Sequence, residues 1–210
     1  MIDLYKNKSI FYCLLVPTTA PLCATAVWNQ TFTIAAGATS NAGSTATLLS
    51  TPYNVAFDGY LNMYVADFGN HRIQQFPLGS FAGTTVAGFS LGSGSSRSEF
   101  NNPTDIQVTR NGTMFILDRD NYRVLRWQVG DSFGMVVAGG RGLGASFIQM
   151  GTCYSIFVDN QYNVYVSENS NHRITLWMNG NTTAGRLVNF LIRKSRDRIL
   201  FFVPILGGRR

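Results

Sequence analysis

An acidic residue stands five positions before an arginine at three places in this sequence, with an asparagine between them each time. The trios are Asp67, Asn70 and Arg72; Asp118, Asn121 and Arg123; and Glu168, Asn171 and Arg173. A guanidinium can bind a carboxylate through two parallel hydrogen bonds, and asparagine tolerates the left-handed backbone of tight turns. Because the trio recurs at the same place in each segment, we interpret it as a structural motif that closes a hairpin.

No other group of residues indicates a reactive centre. The two histidines, His71 and His172, occupy equivalent positions in separated segments, so they should not converge on one metal ion. Asp58, Asp105 and Asp159 lie in or at the end of predicted strands and suggest at most a weak calcium site. No catalytic triad spacing or glycine-rich phosphate loop is present. We therefore predict no catalytic residue, no metal and no cofactor.

The elements that would position these residues repeat every 50 or 51 residues. Four features keep this step, namely two strand-like runs, the turn with its asparagine and arginine, and an Ala-Gly pair. Each unit contains four short runs rich in Val, Ile, Tyr, Phe and Thr, with turns rich in Asn, Gly and Asp. Four strands in about 50 residues is typical of a β-propeller blade.

We accordingly predict an all-β fold, a β-propeller of four-stranded antiparallel blades, within residues 27–188. Its three blades should span about residues 52–88, 103–139 and 153–188, with a lone strand at 31–36. The first strand of each blade should be the innermost. Aromatic residues on the strands should fill the interfaces between blades; they are Tyr53, Phe115, Tyr122, Trp127 and Tyr154.

The run from residue 64 to residue 73, YVADFGNHRI, resembles the signature of the NHL repeat family. The second unit departs from the family pattern at Leu117 and Tyr122, and the third departs from it at Cys153, Ser167 and Glu168. The resemblance covers about residues 31–188 and implies a propeller, commonly of six blades, of which three units are half a ring. A second copy could complete such a ring.

The same resemblance implies several functions. Some members of the family are peptide-amidating lyases that hold a metal with histidines on the axis, and this sequence has no candidate axial histidines. Other members are the substrate-binding ends of RING-type ubiquitin ligases, or bind RNA, and no RING cysteines are present here.

Positive charge is concentrated at one end of the chain. The formal net charge is +6, but residues 31–188 carry nine arginines and nine acids, whereas residues 189–210 carry +5. A neutral body lacks the clustered positive field that phosphate binding requires, so nucleic acid is not favoured as a partner. Residues 189–210 are basic and apolar, resemble no other segment, and are predicted to be a tail outside the repeat. Membrane contact through this tail is not favoured either.

The first 26 residues have the order of a secretory signal, with basic, apolar and small residues in turn; an unstructured leader is the alternative. Acceptor motifs for N-glycosylation begin at Asn29, Asn111 and Asn181. Together these features favour an extracellular protein over a cytoplasmic one.

The function predicted from the repeat is a non-catalytic scaffold that binds a protein or a glycan through its loops. Two alternatives stay open. The chain could be part of a propeller enzyme of the amidating-lyase or lactonase type, or a substrate-recognition propeller related to the RING-type ligases.

Overall fold

The computed structural model describes residues 33–89, 92–180 and 184–188, together with the backbone of residues 191–195 and 198–202. The chain divides after residue 35 into two units, and the elements below all belong to residues 36–210.

Twelve strands form three four-stranded antiparallel sheets, each a simple meander in chain order. The first sheet contains β1 (Pro52–Phe57), β2 (Met63–Asp67), β3 (Arg72–Phe76) and β4 (Thr84–Ala87). The second contains β5 (Pro103–Val108), β6 (Met114–Asp118), β7 (Arg123–Trp127) and β8 (Met135–Gly139). The third contains β9 (Cys153–Val158), β10 (Val164–Glu168), β11 (Arg173–Trp177) and β12 (Arg186–Leu187). The described residues contain no α-helix. The predicted three-bladed all-β fold is confirmed.

A three-residue 3-10 turn joins the second and third strands of every blade. These turns are Phe68–Asn70, Arg119–Asn121 and Asn169–Asn171. The next residue, His71, Tyr122 or His172, has a left-handed backbone with φ between 52° and 54°. That conformation is uncommon in residues other than glycine, so neighbouring contacts must hold each turn in place.

The core lies between the blades. In the second blade, one face of the strands packs against the first blade and the other face against the third. In the central strand β6, Ile116 faces the first blade and Leu117 the third, and both are fully buried. The inner strands β1, β5 and β9 lie side by side. Phe115 and Trp127 fill the interfaces as predicted, and the partly buried Tyr122 packs at the interface between the second and third blades.

Two predictions outside the blades have different outcomes. The lone strand at 31–36 is wrong for its described part, because residues 33–36 form no strand. A strand needs a hydrogen-bonded partner, and the first sheet already ends at β4. In the predicted tail, β13 (Leu191–Ser195) and β14 (Arg198–Phe202) form a two-stranded sheet of their own, and the described tail residues form no fourth four-stranded blade. Among the described residues, no helix is long and apolar enough to cross a membrane.

Candidate functional site

The acid–Asn–Arg motif closes the turn in the middle of each blade. In the second blade, Arg123 Nε donates to Asp118 Oδ2 at 2.7 Å, and Asn121 Nδ2 donates to the same oxygen at 2.8 Å. The arginine and aspartate side chains are 8% and 0% exposed. The expected ion pair also forms in the other two blades, at 2.8 Å between Arg72 and Asp67 and at 3.0 Å between Arg173 and Glu168.

The remaining donors of the motif bind the loop that precedes the blade. Arg123 Nη1 donates to the carbonyl oxygen of Ser95 at 2.7 Å, and Nη2 donates to those of Ser96 and Glu99 at 2.6 and 3.0 Å. Asp118 Oδ1 accepts the backbone N–H of Asn101 at 2.7 Å. One buried ion pair therefore fixes residues 94–101. The loop is held in place although it is rich in Gly and Ser.

The same loop precedes every blade, at residues 43–49, 94–100 and 144–150, and we call it the connecting loop. Its first residue is glycine each time, and that N–H donates to the carbonyl oxygen six residues on. A Cβ on Gly43 would lie 2.6 Å from the Leu48 side chain, so a larger residue there would push that side chain aside. We did not predict this motif from the sequence, although its glycines keep the 50- or 51-residue step.

The third blade departs from this pattern because its acid is glutamate. Thr175 Oγ1 donates to Glu168 Oε1 at 2.7 Å, and Arg173 reaches Oε2 through Nη2 instead of Nε. Arg173 Nε is left buried without a hydrogen-bond acceptor among the described residues. Burial alone would raise the pKa of Glu168, but bonds from Arg173, Asn171, Thr175 and a backbone N–H together hold it below its ordinary value.

Polar side chains connect the three inner strands. Asn54 Nδ2 donates to Asp105 Oδ1 at 2.5 Å, and the N–H of Ile156 donates to Asp105 Oδ2 at 2.7 Å. Gln107 exchanges two hydrogen bonds with the backbone of β9. Burial raises the pKa of Asp105, against these hydrogen bonds. The residues line a cavity of about 310 Å³, but their polar atoms already bond one another across the blades.

The other acids named as candidate calcium ligands close hairpin turns. Asp58 accepts the N–H groups of Tyr60 and Asn62, each at 2.9 Å, as well as the side chains of Asn62 and Tyr64. Asp159 makes the equivalent turn contacts in the third blade. Within the described ranges, no three His, Cys, Asp or Glu residues are placed to hold a metal ion. The two histidines lie in the turns of the first and third blades, and His71 Nδ1 accepts the N–H of Asn102.

The predicted glycosylation sites are only partly described. Asn111 is exposed in the turn between β5 and β6, and Thr113 Oγ1 donates to its Oδ1 at 3.0 Å. Asn29 and Asn181 lie outside the described residues.

A cluster of stacked side chains crosses all three blades at the end where the inner strands begin. Tyr53 stacks on Phe68 with ring centroids 4.6 Å apart. The Arg119 guanidinium lies 4.9 Å from the centroid of Phe68 and 5.8 Å from that of Tyr154. The tyrosines belong to β1 and β9, whereas Phe68 and Arg119 belong to the 3-10 turns. We call these four residues the aromatic cluster.

The aromatic cluster is both exposed and fixed. Tyr53 is 52% exposed and Tyr154 49%, so the prediction that they fill blade interfaces is wrong. Tyr53 lies on β1, which is exposed along most of its length, and Tyr154 is the second residue of β9. Arg119 is held by two hydrogen bonds to Asp120, at 2.7 and 3.0 Å. At the equivalent position of the middle inner strand, Thr104 is buried, so a smaller residue separates the two tyrosines.

A cavity of about 760 Å³ lies at the opposite end of the second blade. The two arginines that line it contact other lining residues: the Arg97 guanidinium lies 4.8 Å from the centroid of Phe133, and Arg126 Nη2 lies 3.7 Å from Met135 Sδ. We assign no role to this cavity.

No protein-family model matches this chain, and no curated protein matches it. Solved structures do. The crystal structure of a nidogen/laminin complex matches with a TM-score of 0.52 and 18% identity, over 67% of this chain and 49% of that one. A structural genomics protein of unknown function from Bacteroides thetaiotaomicron matches with a TM-score of 0.50 and 18% identity, over 62% of this chain and 36% of that one. A streptogramin B lyase matches with a TM-score of 0.48 and 12% identity, over 65% of this chain and 40% of that one.

The chain thus spans less than half the length of these solved proteins. At such low identity the likeness shows the fold alone. In fold, this chain is similar to β-propeller proteins.

Proposed function

We propose that this chain is a non-catalytic propeller of the NHL-repeat type that binds a partner protein at the aromatic cluster, in an extracellular setting. The observation that carries the proposal is the pair of half-exposed tyrosines, Tyr53 and Tyr154, held at one end of the inner strands by Phe68 and Arg119.

Tyrosine and arginine are among the residue types that most often dominate the binding energy of protein interfaces. A tyrosine presents a large surface with few rotatable bonds, so fixing it on binding costs little entropy. Here one partner of each ring is already in place, which lowers that cost further. The acid–Asn–Arg motifs support this arrangement, because they fix the turns that carry Phe68 and Arg119.

A protein is a better match to the cluster than nucleic acid. Arg119 is neutralised by Asp120, and residues 31–188 have no net charge. Stacking on exposed aromatic rings also suits a glycan, which is the alternative ligand. Nucleic-acid affinity depends mainly on protein side chains whose positive charge is free to neutralise the phosphates.

Selection from a random 12-residue peptide library tests the proposal. The full chain serves as bait, beside the double variant Tyr53→Ala/Tyr154→Ala and the control Tyr60→Ala. Tyr60 is 78% exposed in the turn between β1 and β2, at the opposite end of the blade. Thermal unfolding midpoints equal to wild type establish that the variants are folded.

We expect the wild type and the control to enrich the same peptides and the double variant to lose them. Each lost aromatic contact should weaken binding by about tenfold or more. Enriched peptides that bind the double variant equally well would place binding elsewhere and contradict the proposal.

A further inference from the structure

The inner strand of the first blade is exposed at a position that the other two blades bury. We call the face of a blade that meets the preceding blade its leading face, and the opposite one its trailing face. Ile106 and Ile156 belong to the leading faces of the second and third blades and are 2% and 3% exposed. Val55 has the same place in the strand register of the first blade. It is 48% exposed, so the leading face of the first blade is open at this strand.

The trailing face of the third blade is open in the same way. Ile73 and Val124 lie on the trailing faces of the first two blades, where the following blade buries them fully. Ile174 has the same place in the register of the third blade and is 44% exposed. On the same face, Phe157 is 59% exposed and lies beside the half-buried Tyr165, with ring centroids 5.9 Å apart. This end of the row of blades is therefore an exposed apolar surface.

Both open faces need a cover of matching chemistry. Repeat proteins stay soluble when their terminal repeats have polar outer faces, and an exposed apolar patch marks an interaction surface. The open positions carry no charge; they are Val55, Phe157, Tyr165 and Ile174. Covering them therefore buries no unpaired charge.

The chain itself shows which surface covers a trailing face. The trailing face of the first blade packs on the leading face of the second, and that of the second packs on the leading face of the third. Hydrogen bonds join the inner strands at both interfaces, from Asn54 to Asp105 and from the N–H of Ile156 to Asp105. The surface that matches the third blade is therefore the leading face of the first blade.

These two open faces lie at opposite ends of the same row. The inner strands β1 and β9 lie on either side of β5, and propellers contain four to eight blades, so three blades do not close on themselves. The first blade that covers the third must therefore come from another molecule. Two copies of three blades make six, which is within the range that closes a ring.

We infer that two copies of this chain associate head to tail, with the trailing face of each third blade covering the leading face of the partner's first blade. A two-fold axis relates the copies, so both interfaces are identical and the assembly is closed. This inference goes beyond the proposed function and does not depend on it.

Analytical ultracentrifugation of the full chain tests the inference. We expect a dimer of twice the 23.2 kDa of one chain. Val55→Glu and Ile174→Glu each place a carboxylate in both interfaces, so each should raise the dissociation constant of the dimer at least about a hundredfold. Val129→Glu is the matched control and should leave it unchanged, because Val129 is 46% exposed in the turn between β7 and β8 of the middle blade.

Circular dichroism establishes that each variant is folded, as expected for exposed positions. If a glutamate variant does not fold, the serine variant at the same position should still weaken association severalfold.

A mixture of the two variants tests the head-to-tail arrangement. Val55→Glu keeps an unaltered third blade and Ile174→Glu keeps an unaltered first blade, so the mixed dimer has one unaltered interface. We expect the mixture to associate at least about tenfold more tightly than either variant alone.

A wild type that stays monomeric up to about 100 μM would overturn the inference. A dimer that neither glutamate variant weakens would place the interface elsewhere and overturn it too. Loss of the dimer in Ile174→Glu alone, with no gain on mixing, would show two third blades facing each other and would also overturn it.

Discussion

Replacing Arg123 with alanine should destabilise the protein more than any change at an exposed arginine. The substitution leaves the fully buried carboxylate of Asp118 without its cation and frees three carbonyl oxygens of the connecting loop. Breaking one partner of a buried ion pair costs about 3–5 kcal/mol, because the other charge stays buried. We expect a loss of that size in the free energy of unfolding.

Two further variants separate charge from geometry. Arg123→Lys keeps the charge but cannot span the carboxylate and three carbonyl groups, so we expect a loss of about 2 kcal/mol. Arg126→Ala is the matched control, since Arg126 lies on the same strand and has no carboxylate partner among the described residues. Its removal should cost less than about 1 kcal/mol.

Urea unfolding measures these losses, and hydrogen exchange tests their cause. The N–H groups of Gly94 and Asn101 bond to Phe100 and Asp118, at 3.0 and 2.7 Å, and should exchange much faster in both Arg123 variants. A loss below about 1 kcal/mol for Arg123→Ala, or unchanged exchange in the connecting loop, would refute this account of the motif.

Three further predictions concern single positions. Burial raises the pKa of Asp105, so ionisation of this side chain should lower the stability of the wild type as pH rises above about 4. The stability of Asp105→Asn relative to wild type should therefore increase between pH 4 and pH 7, and a difference independent of pH would contradict this. The pKa of Glu168 is held below its ordinary value, so its charged form stabilises the fold above about pH 4.5 and this contribution is lost on acidification. The loss of unfolding free energy caused by Glu168→Gln, measured in urea, should therefore shrink below that pH, and a loss independent of pH would count against this reasoning. Gly88 has φ +78° and a Cβ there would lie 2.6 Å from the carbonyl oxygen of His71, whereas Gly112, with φ +82°, faces open space; Gly88→Ala should cost about 2 kcal/mol more than Gly112→Ala in thermal unfolding, and equal losses would show that the contact is relieved.

The blades could be predicted because their pattern is local. The register between β2 and β3 pairs Asp67 with Arg72 and follows from strand alternation and a short turn, both visible in the sequence. The connecting loop could not be predicted as fixed, because Arg123 binds its backbone carbonyls, which every residue carries. Only the glycine at its start, as in Gly94, leaves a trace in the sequence.

The aromatic cluster was missed for a different reason. Tyr53 lies on a strand like Phe115, and the sequence does not distinguish a ring that a neighbouring blade covers from a ring that stays exposed. Phe68 and Arg119 occupy the same turn position in different blades, where the third blade has Asn169. The contact between the Phe68 ring and the Arg119 guanidinium forms because the first and second blades are neighbours. The repeat pattern alone does not show it.

Hydrogen exchange of the full chain, read by mass spectrometry with and without the tightest peptide from the library, shows directly whether a ligand binds at the aromatic cluster. If it does, exchange should slow in residues 52–55, 118–121 and 153–155 together, with the turn at 58–62 unchanged. Protection confined to the opposite end of the blades, or to the outer strands, would contradict it.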